Sequence, residues 1–215
     1  MKKSNFMVKT IVTGRYRENC YLLYGSETRE CFVIDPGCEE EAIWNEIVKN
    51  RLSVKVILAT HAHFDHIGGV DFLRKQTQAP FYLHADEDKI LQKASFFSRL
   101  FQGTELAVPT VDFFLTTKTE LLLEGVPLYV IETPGHTPGG VSFHIESVLF
   151  SGDVLFRGKF GQNDCSVGET ENLSGLLKKK FMTLPDETLV YPGHGKTTTI
   201  GAERGRVYAE EDAIH

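Results

Sequence analysis

A ten-residue stretch, T-H-A-H-F-D-H-I-G-G at residues 60–69, gathers three imidazoles and a carboxylate within six positions. Side chains alternate between the two sides of an extended segment, so His61 and His63 project to the same side and can bind one metal ion. Asp65 and His66 follow and can turn towards a second ion. Imidazole and carboxylate are ligands that zinc and similar divalent ions take in proteins. The stretch therefore predicts a metal site.

Three further turns each carry one residue able to bind a metal. They are T-P-G-H-T-P-G-G with His136, S-G-D with Asp153 and P-G-H-G with His194. Five of the eight histidines of the chain lie in these turns and in the first stretch. A chance H-x-H pair does not predict such a concentration, so a shared metal centre is the better interpretation.

Each ligand turn follows a short apolar run, which is typical of a buried strand that mounts a site at its end. These runs occupy residues 54–59, 128–131, 148–150 and 189–191. After the first turn, Gly68 and Gly69 suit a tight turn into a helix over residues 67–76. The metal site is therefore expected at the end of several strands.

The remaining segments alternate between strand and helix patterns. Strands are predicted at residues 6–13, 20–24, 31–34, 81–84, 120–123 and 141–146, helices at 39–50, 86–102 and 169–182, and a loop at 104–114. Two helices carry a stripe expected to face the core, Ile43, Trp44, Ile47 and Val48 in the first and Ile90, Ala94, Phe97 and Phe101 in the second. Strand runs with helices between them indicate two sheets packed between helices.

Asp35 closes the strand at residues 31–34 in the same way that the ligand turns close theirs. It either orients a metal-bound histidine or is an ordinary turn former, and the sequence leaves both interpretations open. His84 precedes an acid-rich helix start and is expected to be structural.

Length and composition favour one domain over residues 1–215, since two domains would each be small. The net charge of −6 speaks against broad contact with nucleic acid. No apolar run approaches the roughly 20 residues of a membrane span, and the N-terminus has no apolar signal core. The four cysteines, Cys20, Cys31, Cys38 and Cys165, lack C-x-x-C spacing. They are expected to be reduced thiols of a cytoplasmic protein.

The H-A-H-F-D-H, T-P-G-H-T-P-G-G, S-G-D and Y-P-G-H-G motifs resemble those of the metallo-β-lactamase fold superfamily. The resemblance is strongest to its glyoxalase II-type, or hydroxyacylglutathione hydrolase-like, branch, and it extends from Asn19 to Gly195. It implies an α+β fold, an αββα four-layer sandwich of two mixed β-sheets flanked by helices. It also implies that the metals lie where the two sheets meet at one edge.

The resemblance further implies a dinuclear site. His61, His63 and His136 would bind the first ion, Asp65, His66 and His194 the second, and Asp153 would bridge them. Two divalent ions are expected, zinc first, with iron or manganese as other choices. A hydroxide between the ions would attack a carbonyl carbon while Asp65 helps to steer the proton.

The implied substrate is a small-molecule thioester such as S-lactoylglutathione. Related proteins often carry Arg or Lys after the glycine that matches Gly161, whereas this chain has Gln162, which brings no charge. Lys159, Phe160 and Gln162 are the predicted substrate-binding residues. The helical domain that holds the glutathione carboxylates in full-length glyoxalase II is expected to be absent.

Other functions stay open at this point. A mononuclear iron persulfide dioxygenase shares the H-x-H-x-D-H motif, and His61, His136 and Asp153 could make its facial triad. Hydrolysis of another ester, a lactone or an amide is a further alternative. A metal-stabilised binding or sensing protein would keep the ligands without turnover. The two enzyme hypotheses differ in the number of metal ions, two for the hydrolase and one for the dioxygenase.

Overall fold

Six strands form the first sheet of the computed structural model, which describes residues 5–162 and 173–212. In spatial order they are β1 (Phe6–Thr13), β2 (Glu18–Gly25), β3 (Glu30–Ile34), β4 (Ser53–Leu58), β5 (Phe81–His84) and β6 (Phe113–Leu115). The first three strands pair antiparallel, and β3 to β6 pair in parallel. The sheet is therefore mixed.

A second sheet of six strands is also mixed. Its members in chain order are β7 (Leu121–Leu123), β8 (Val126–Glu132), β9 (Val141–Ile145), β10 (Val148–Gly152), β13 (Leu189–Pro192) and β14 (Thr198–Thr199), and a small hairpin consists of β11 (Leu155–Phe156) and β12 (Lys159–Phe160). Only the β10–β13 pair is parallel. That pairing brings two ligand turns to the same edge of the sheet.

Helices cover the outer faces of both sheets. They are α1 (Glu40–Lys49), α2 (Phe64–Ile67), α3 (Val70–Thr77), α4 (Asp88–Gln102), α5 (Leu173–Lys180) and α6 (Ile200–Asp212). One apolar cluster lies between the first sheet and α1, α3 and α4, a second between the two sheets, and a third between the second sheet and α5 and α6. Four layers result, and the predicted αββα fold is confirmed.

Strand β2 explains why the first sheet lies inside the protein. All eight of its residues are buried. Because side chains alternate along a strand, Leu22 packs in the cluster under the helices and Leu23 packs in the cluster between the sheets. A strand that is apolar on both faces needs a covering layer on each. The sequence of β2 therefore specifies a central layer.

Two sequence predictions need correction and one is confirmed. The turn expected at Gly68 and Gly69 lies between α2 and α3, with φ −56° and ψ −36° at Gly68 and φ −91° and ψ −2° at Gly69, the values of a type I turn. A Cβ at Gly68 would lie 2.7 Å from Cys38 Sγ, so this glycine permits close packing. Val48 is 55% exposed because the face of α1 against the sheet is narrower than expected. The predicted loop ends early, in β6.

Two further predictions have other outcomes. Of the stripe predicted on α4, Ile90 and Ala94 are buried, whereas Phe101 is 47% exposed. Phe101 instead stacks on the rings of Phe64 and Phe97. The helix predicted at residues 169–182 begins outside the described residues, as does Cys165. Among the described residues, none of the helices has the length and apolar content that a membrane-spanning helix needs.

Replacing Phe143 tests the packing between the sheets. Phe143 is fully buried there, so Phe143→Ala should lower the free energy of unfolding by about 3–5 kcal/mol through lost apolar contact and a cavity. Urea denaturation measures the change. The control Phe114→Ala removes a side chain that is 60% exposed and should cost less than about 1 kcal/mol. Equal losses in the two variants would contradict the layered core.

Candidate metal centre

All of the predicted metal-binding residues lie at one edge of the two sheets. The first ligand turn leaves β4, and the turns with His136, Asp153 and His194 leave β8, β10 and β13. Backbone hydrogen bonds join the sheets at this edge, from Val141 N to Thr60 O (2.8 Å) and from Asn19 N to Gly193 O (2.7 Å). The seam between the sheets therefore fixes the ligand turns relative to one another.

The first group consists of His61, His63 and His136. His63 Nδ1 lies 3.0 Å from His61 Nε2 and 3.1 Å from His136 Nε2. Zinc–nitrogen bonds of about 2.0–2.1 Å place ligand nitrogens roughly 3.3 Å apart around a tetrahedral ion. The three nitrogens are therefore spaced as ligands of one ion would be.

The second group consists of Asp65, His66 and His194. His194 Nε2 lies 3.3 Å from His66 Nε2 and 3.4 Å from Asp65 Oδ2. The donor atoms of this group all lie within 4.8 Å of one another. Asp65 and His66 belong to the short helix α2, which turns them away from the first group. This geometry fits a second ion.

Asp153 lies between the two groups. Its Oδ2 is 3.7 Å from His136 Nε2 and 3.5 Å from His194 Nε2, and its Oδ1 is 3.6 Å from His66 Nε2. Oδ1 is buried, and no described side chain or backbone group donates a hydrogen bond to it. A buried carboxylate oxygen normally has such a partner. A cation fits this oxygen, and the whole donor set of imidazole and carboxylate suits a divalent metal.

Gly193 makes room for this arrangement. A Cβ on Gly193 would lie 2.0 Å from Asp153 Oδ1 and 2.7 Å from His66 Cε1. Any larger residue would displace a carboxylate or an imidazole of the centre. The glycine of the P-G-H-G turn is therefore required by close approach, although the sequence alone presents it as an ordinary turn residue.

Contacts of the Nδ1 atoms with nearby oxygens orient four of the histidine rings. The Nδ1 atoms lie beside these oxygens: His61 beside Thr60 Oγ1 (3.0 Å), His66 beside Asp35 Oδ2 (3.1 Å), His136 beside the Gln162 backbone oxygen (2.7 Å) and His194 beside the Tyr16 backbone oxygen (3.0 Å). Such contacts fix ring orientation and leave Nε2 for a metal. The structure thus decides between the two interpretations of Asp35, which contacts His66.

Asp35 also connects strands to the centre. Its carboxylate accepts hydrogen bonds from Thr60 N (2.6 Å) and Thr60 Oγ1 (2.7 Å), and the residue is almost fully buried. The backbone of Asp35 has a positive φ of 50°, which any residue other than glycine adopts at a cost. Its three contacts offset that cost and hold β3, β4 and α2 together.

Electrostatics keep the carboxylates ionised and one imidazole neutral. Burial opposes ionisation of Asp153, but His66 and His194 hold the pKa of this carboxyl well below its usual range. Burial likewise opposes ionisation of Asp65, and the contact with His194 lowers its pKa. Burial, followed by the charge of His66, lowers the pKa of His61. Ionised carboxylates and neutral imidazoles are the forms that bind metals.

Glu87 is a buried residue of the centre that the sequence analysis did not single out. Its Oε2 accepts a hydrogen bond from Ala62 N (2.7 Å), and its Oε1 accepts one from Gly139 N (2.8 Å). Burial raises its pKa, although the hydrogen bond from Ala62 opposes this. Glu87 thereby connects the two turns that carry His63 and His136. In the sequence it is one of three consecutive acids, and nothing local distinguishes it.

The predicted substrate-binding residues lie at the hairpin beside the centre. Lys159 is exposed, with Nζ 5.0 Å from the centre of the Phe156 ring, and Phe160 is partly buried against the cluster under α5 and α6. Gln162 is exposed and reaches His136 through its backbone oxygen. Their role in substrate binding stays a prediction.

Elsewhere, Cys20, Cys31 and Cys38 are free thiols, and His84 accepts a hydrogen bond from Asp86 N at a helix start.

The sequence matches a family described as the metallo-beta-lactamase superfamily over residues 13–194. That match covers most of the chain and both halves of the centre. The chain belongs to the metallo-β-lactamase superfamily. Members of this superfamily of metallo-hydrolases hold divalent metals on histidine and aspartate clusters like the two groups described above.

Three proteins are similar to this chain over most of its length. Hydroxyacylglutathione hydrolase GloC of Haemophilus influenzae is 34% identical, over 92% of this chain and 94% of that protein. The BLEG-1 B3 metallo-β-lactamase structure is 38% identical with a TM-score of 0.85, covering 93% of this chain and 97% of that one. The structure of TTHA1623 in a di-iron-bound form is 36% identical with a TM-score of 0.81, covering 92% and 97%.

Replacing Glu87 tests its contribution to the centre. In Glu87→Gln the side-chain amide would face one of two backbone N–H donors, so the free energy of unfolding should fall by about 1–3 kcal/mol. Urea denaturation of metal-free protein measures this. The control Asp86→Asn changes an exposed neighbouring carboxylate and should stay within about 0.5 kcal/mol of the parent. Glu87 would not be a structural connection if both variants were equally stable.

Proposed function

We propose that the protein is a hydrolase that uses two divalent metal ions to cleave a thioester, with an S-acylglutathione such as S-lactoylglutathione as substrate. The observation that carries this proposal is the position of Asp153 between two separate groups of three donor residues. A bridging carboxylate between two complete groups is typical of dinuclear hydrolases. The GloC relative, named for hydrolysis of hydroxyacylglutathione, supports the thioester.

Each ion would have its own protein ligands. His61, His63 and His136 would hold one ion, Asp65, His66 and His194 the other, and Asp153 both. Zinc is the expected metal because imidazole and carboxylate ligands at this spacing suit it. Iron is the other strong choice because the similar structure of TTHA1623 is described as di-iron-bound.

When bound, two dications lower the pKa of a coordinated water towards about 7 and polarise a carbonyl oxygen. Asp65 would take part in moving the proton. Its carboxylate is ionised, lies at the mouth of the centre and has Oδ2 3.4 Å from His194 Nε2. An ionised carboxylate at this position can accept a proton from water and return it to the departing sulfur.

The side chains of the centre would orient the reaction. In hydrolysis the water oxygen bonds to the thioester carbon, the carbon–sulfur bond breaks, and sulfur leaves with the electron pair and gains a proton. The products are a carboxylic acid and a free thiol. Asp35 and Glu87 would keep the ligand turns at fixed distances throughout, which lowers the cost of reaching the transition state.

A mononuclear iron persulfide dioxygenase remains the second candidate, and the metal count separates it from the hydrolase. Its triad would need only His61, His136 and Asp153. The group of Asp65, His66 and His194 would then have no ion to bind, although its donor atoms, like those of the first group, lie within 4.8 Å of one another. This spacing favours the dinuclear hydrolase. A lactam substrate, as in the B3 metallo-β-lactamase, is another outcome of the assays below.

Metal content and product formation test the function together. Protein purified without chelator or added metal should contain close to two ions per chain by elemental analysis. It should release free thiol from S-lactoylglutathione under an oxygen-free atmosphere. One iron per chain with oxygen uptake on glutathione persulfide would overturn the hydrolase in favour of the dioxygenase. Cleavage of lactams without thioester cleavage would overturn the substrate.

Replacing Asp65 tests both of its proposed roles. Asp65→Ala should reduce the metal content to below two ions per chain and lower kcat/KM by a factor of about 100 or more, since a metal ligand and a proton acceptor are lost together. Elemental analysis and thiol release measure the two effects. The control Asp71→Ala removes an exposed carboxylate of α3 that pairs with Lys75. If Asp65→Ala kept two ions and full activity, the site assignment would be wrong.

A further inference from the structure

A groove of about 540 Å³ opens beside the metal centre. Residues of the first ligand turn, among them His63, Phe64 and Asp65, form one wall, and the helix α4 forms the other. Because two of the proposed metal ligands line the groove, a molecule lying in it reaches the centre. The groove is therefore positioned to hold a substrate.

The wall formed by α4 carries lysines at one end and aromatic residues at the other. Lys89, Lys93, Phe97 and Phe101 line the groove at intervals of four residues, which places them on one face of the helix. Twelve residues separate the first from the last, a length of roughly 18 Å along a helix. The cationic pair lies near the start of α4 and the aromatic pair near its end.

In the opposite wall, the first ligand turn runs in the same direction as α4, from the lysine end of the groove to the aromatic end. Glu87, just before α4, accepts a hydrogen bond from Ala62 N, so Ala62 lies at the lysine end. Phe64 stacks on Phe101 with ring centres 6.2 Å apart, so it lies at the aromatic end, where Tyr16 also contacts it at 5.6 Å. His63 stands between Ala62 and Phe64 in the chain. The metal centre thus opens towards the middle of the groove.

Each end of the groove offers side-chain surface to a ligand. Phe101 is 47% exposed although it is stacked on Phe97 with ring centres 6.0 Å apart. Within residues 5–162 and 173–212, no carboxylate forms an ion pair with Lys89 or Lys93, although other exposed lysines such as Lys75 have one. An aromatic surface and a pair of cations flanking a centre of this kind complement a ligand with an apolar part and an anionic part.

We propose that the groove selects thioesters with a carboxylate-bearing thiol and an apolar, preferably aromatic, acyl group. This inference rests on the proposed function and names its substrate class. The carboxylates of the thiol portion pair with Lys89 and Lys93, and the acyl group packs against Phe64, Phe97 and Phe101. The thioester carbon then lies in the middle of the groove beside His63 and Asp65. Lactoyl, with only a methyl group and a hydroxyl, leaves the aromatic end unfilled.

Two thioesters that share glutathione test the aromatic end. S-mandeloylglutathione differs from S-lactoylglutathione by a phenyl ring in place of a methyl group. The ratio of kcat/KM for mandeloyl to that for lactoyl should be about ten in the parent protein, since the ring buries more apolar surface. Phe101→Ala should reduce this ratio to about one. The control Leu100→Ala, a residue of α4 that is 60% exposed and does not line the groove, should preserve it.

The double variant Lys89→Gln, Lys93→Gln tests the anionic end. KM for both thioesters should rise about fivefold or more, because two exposed charge pairs are lost, and the effect should shrink as salt is added. The rise in KM should exceed any change in kcat. The matched control is Lys118→Gln, which removes an exposed lysine that does not line the groove. An unchanged KM in the double variant would overturn the anionic subsite.

A ligand that cannot be hydrolysed separates failure of the groove from failure of the reaction. S-benzylglutathione is a thioether with the same thiol portion and an aromatic group, and calorimetry gives its Kd. Weaker binding to Phe101→Ala and to the double lysine variant supports the groove even if neither thioester is cleaved, an outcome that would overturn only the hydrolase. Cleavage of both thioesters with a ratio near one, unchanged by Phe101→Ala, would overturn the groove and leave the hydrolase standing.

Discussion

The rest of the structure depends on holding five imidazoles and two carboxylates with their nearest donor atoms 3.0–3.7 Å apart. Donor atoms at such distances desolvate one another, and their lone pairs repel unless cations lie between them. No single element can impose this geometry, since the side chains come from turns after four strands of two sheets. The four-layer fold is the frame that brings those turns to one seam.

Buried carboxylates outside the ligand set make that seam rigid. Asp35 connects the ends of β3 and β4 to His66, and Glu87 connects the turns of His63 and His136. Each accepts hydrogen bonds from backbone N–H groups that would otherwise be buried without partners, so each offsets the cost of its own burial. The ligand turns of this centre are therefore positioned largely by hydrogen bonds that Asp35 and Glu87 accept from backbone N–H groups. Motion of other side chains disturbs such bonds little.

The helix α4 serves both the core and the groove with neighbouring residues. Ile90 and Ala94 belong to the apolar cluster under the first sheet and also line the groove, together with Lys89, Lys93, Phe97 and Phe101. A stripe of apolar residues at helical spacing predicts burial, but Phe101 packs on the rings of Phe64 and Phe97 and stays 47% exposed. The expectation that Phe101 faces the core fails for this reason. Its exposure beside the proposed catalytic centre is the observation on which the proposed substrate surface rests.

The sequence by itself determined most strands and helices, the superfamily and the set of residues able to bind a metal, because these follow from local periodicity and from compact motifs such as H-A-H-F-D-H. Only the tertiary structure decided that Asp35 contacts His66, that Glu87 is buried between two turns, and that Gly193 has no room for a side chain. These properties are distances between segments far apart in the chain. Packing of the two sheets and α4 sets them, and no local pattern of residues encodes such distances.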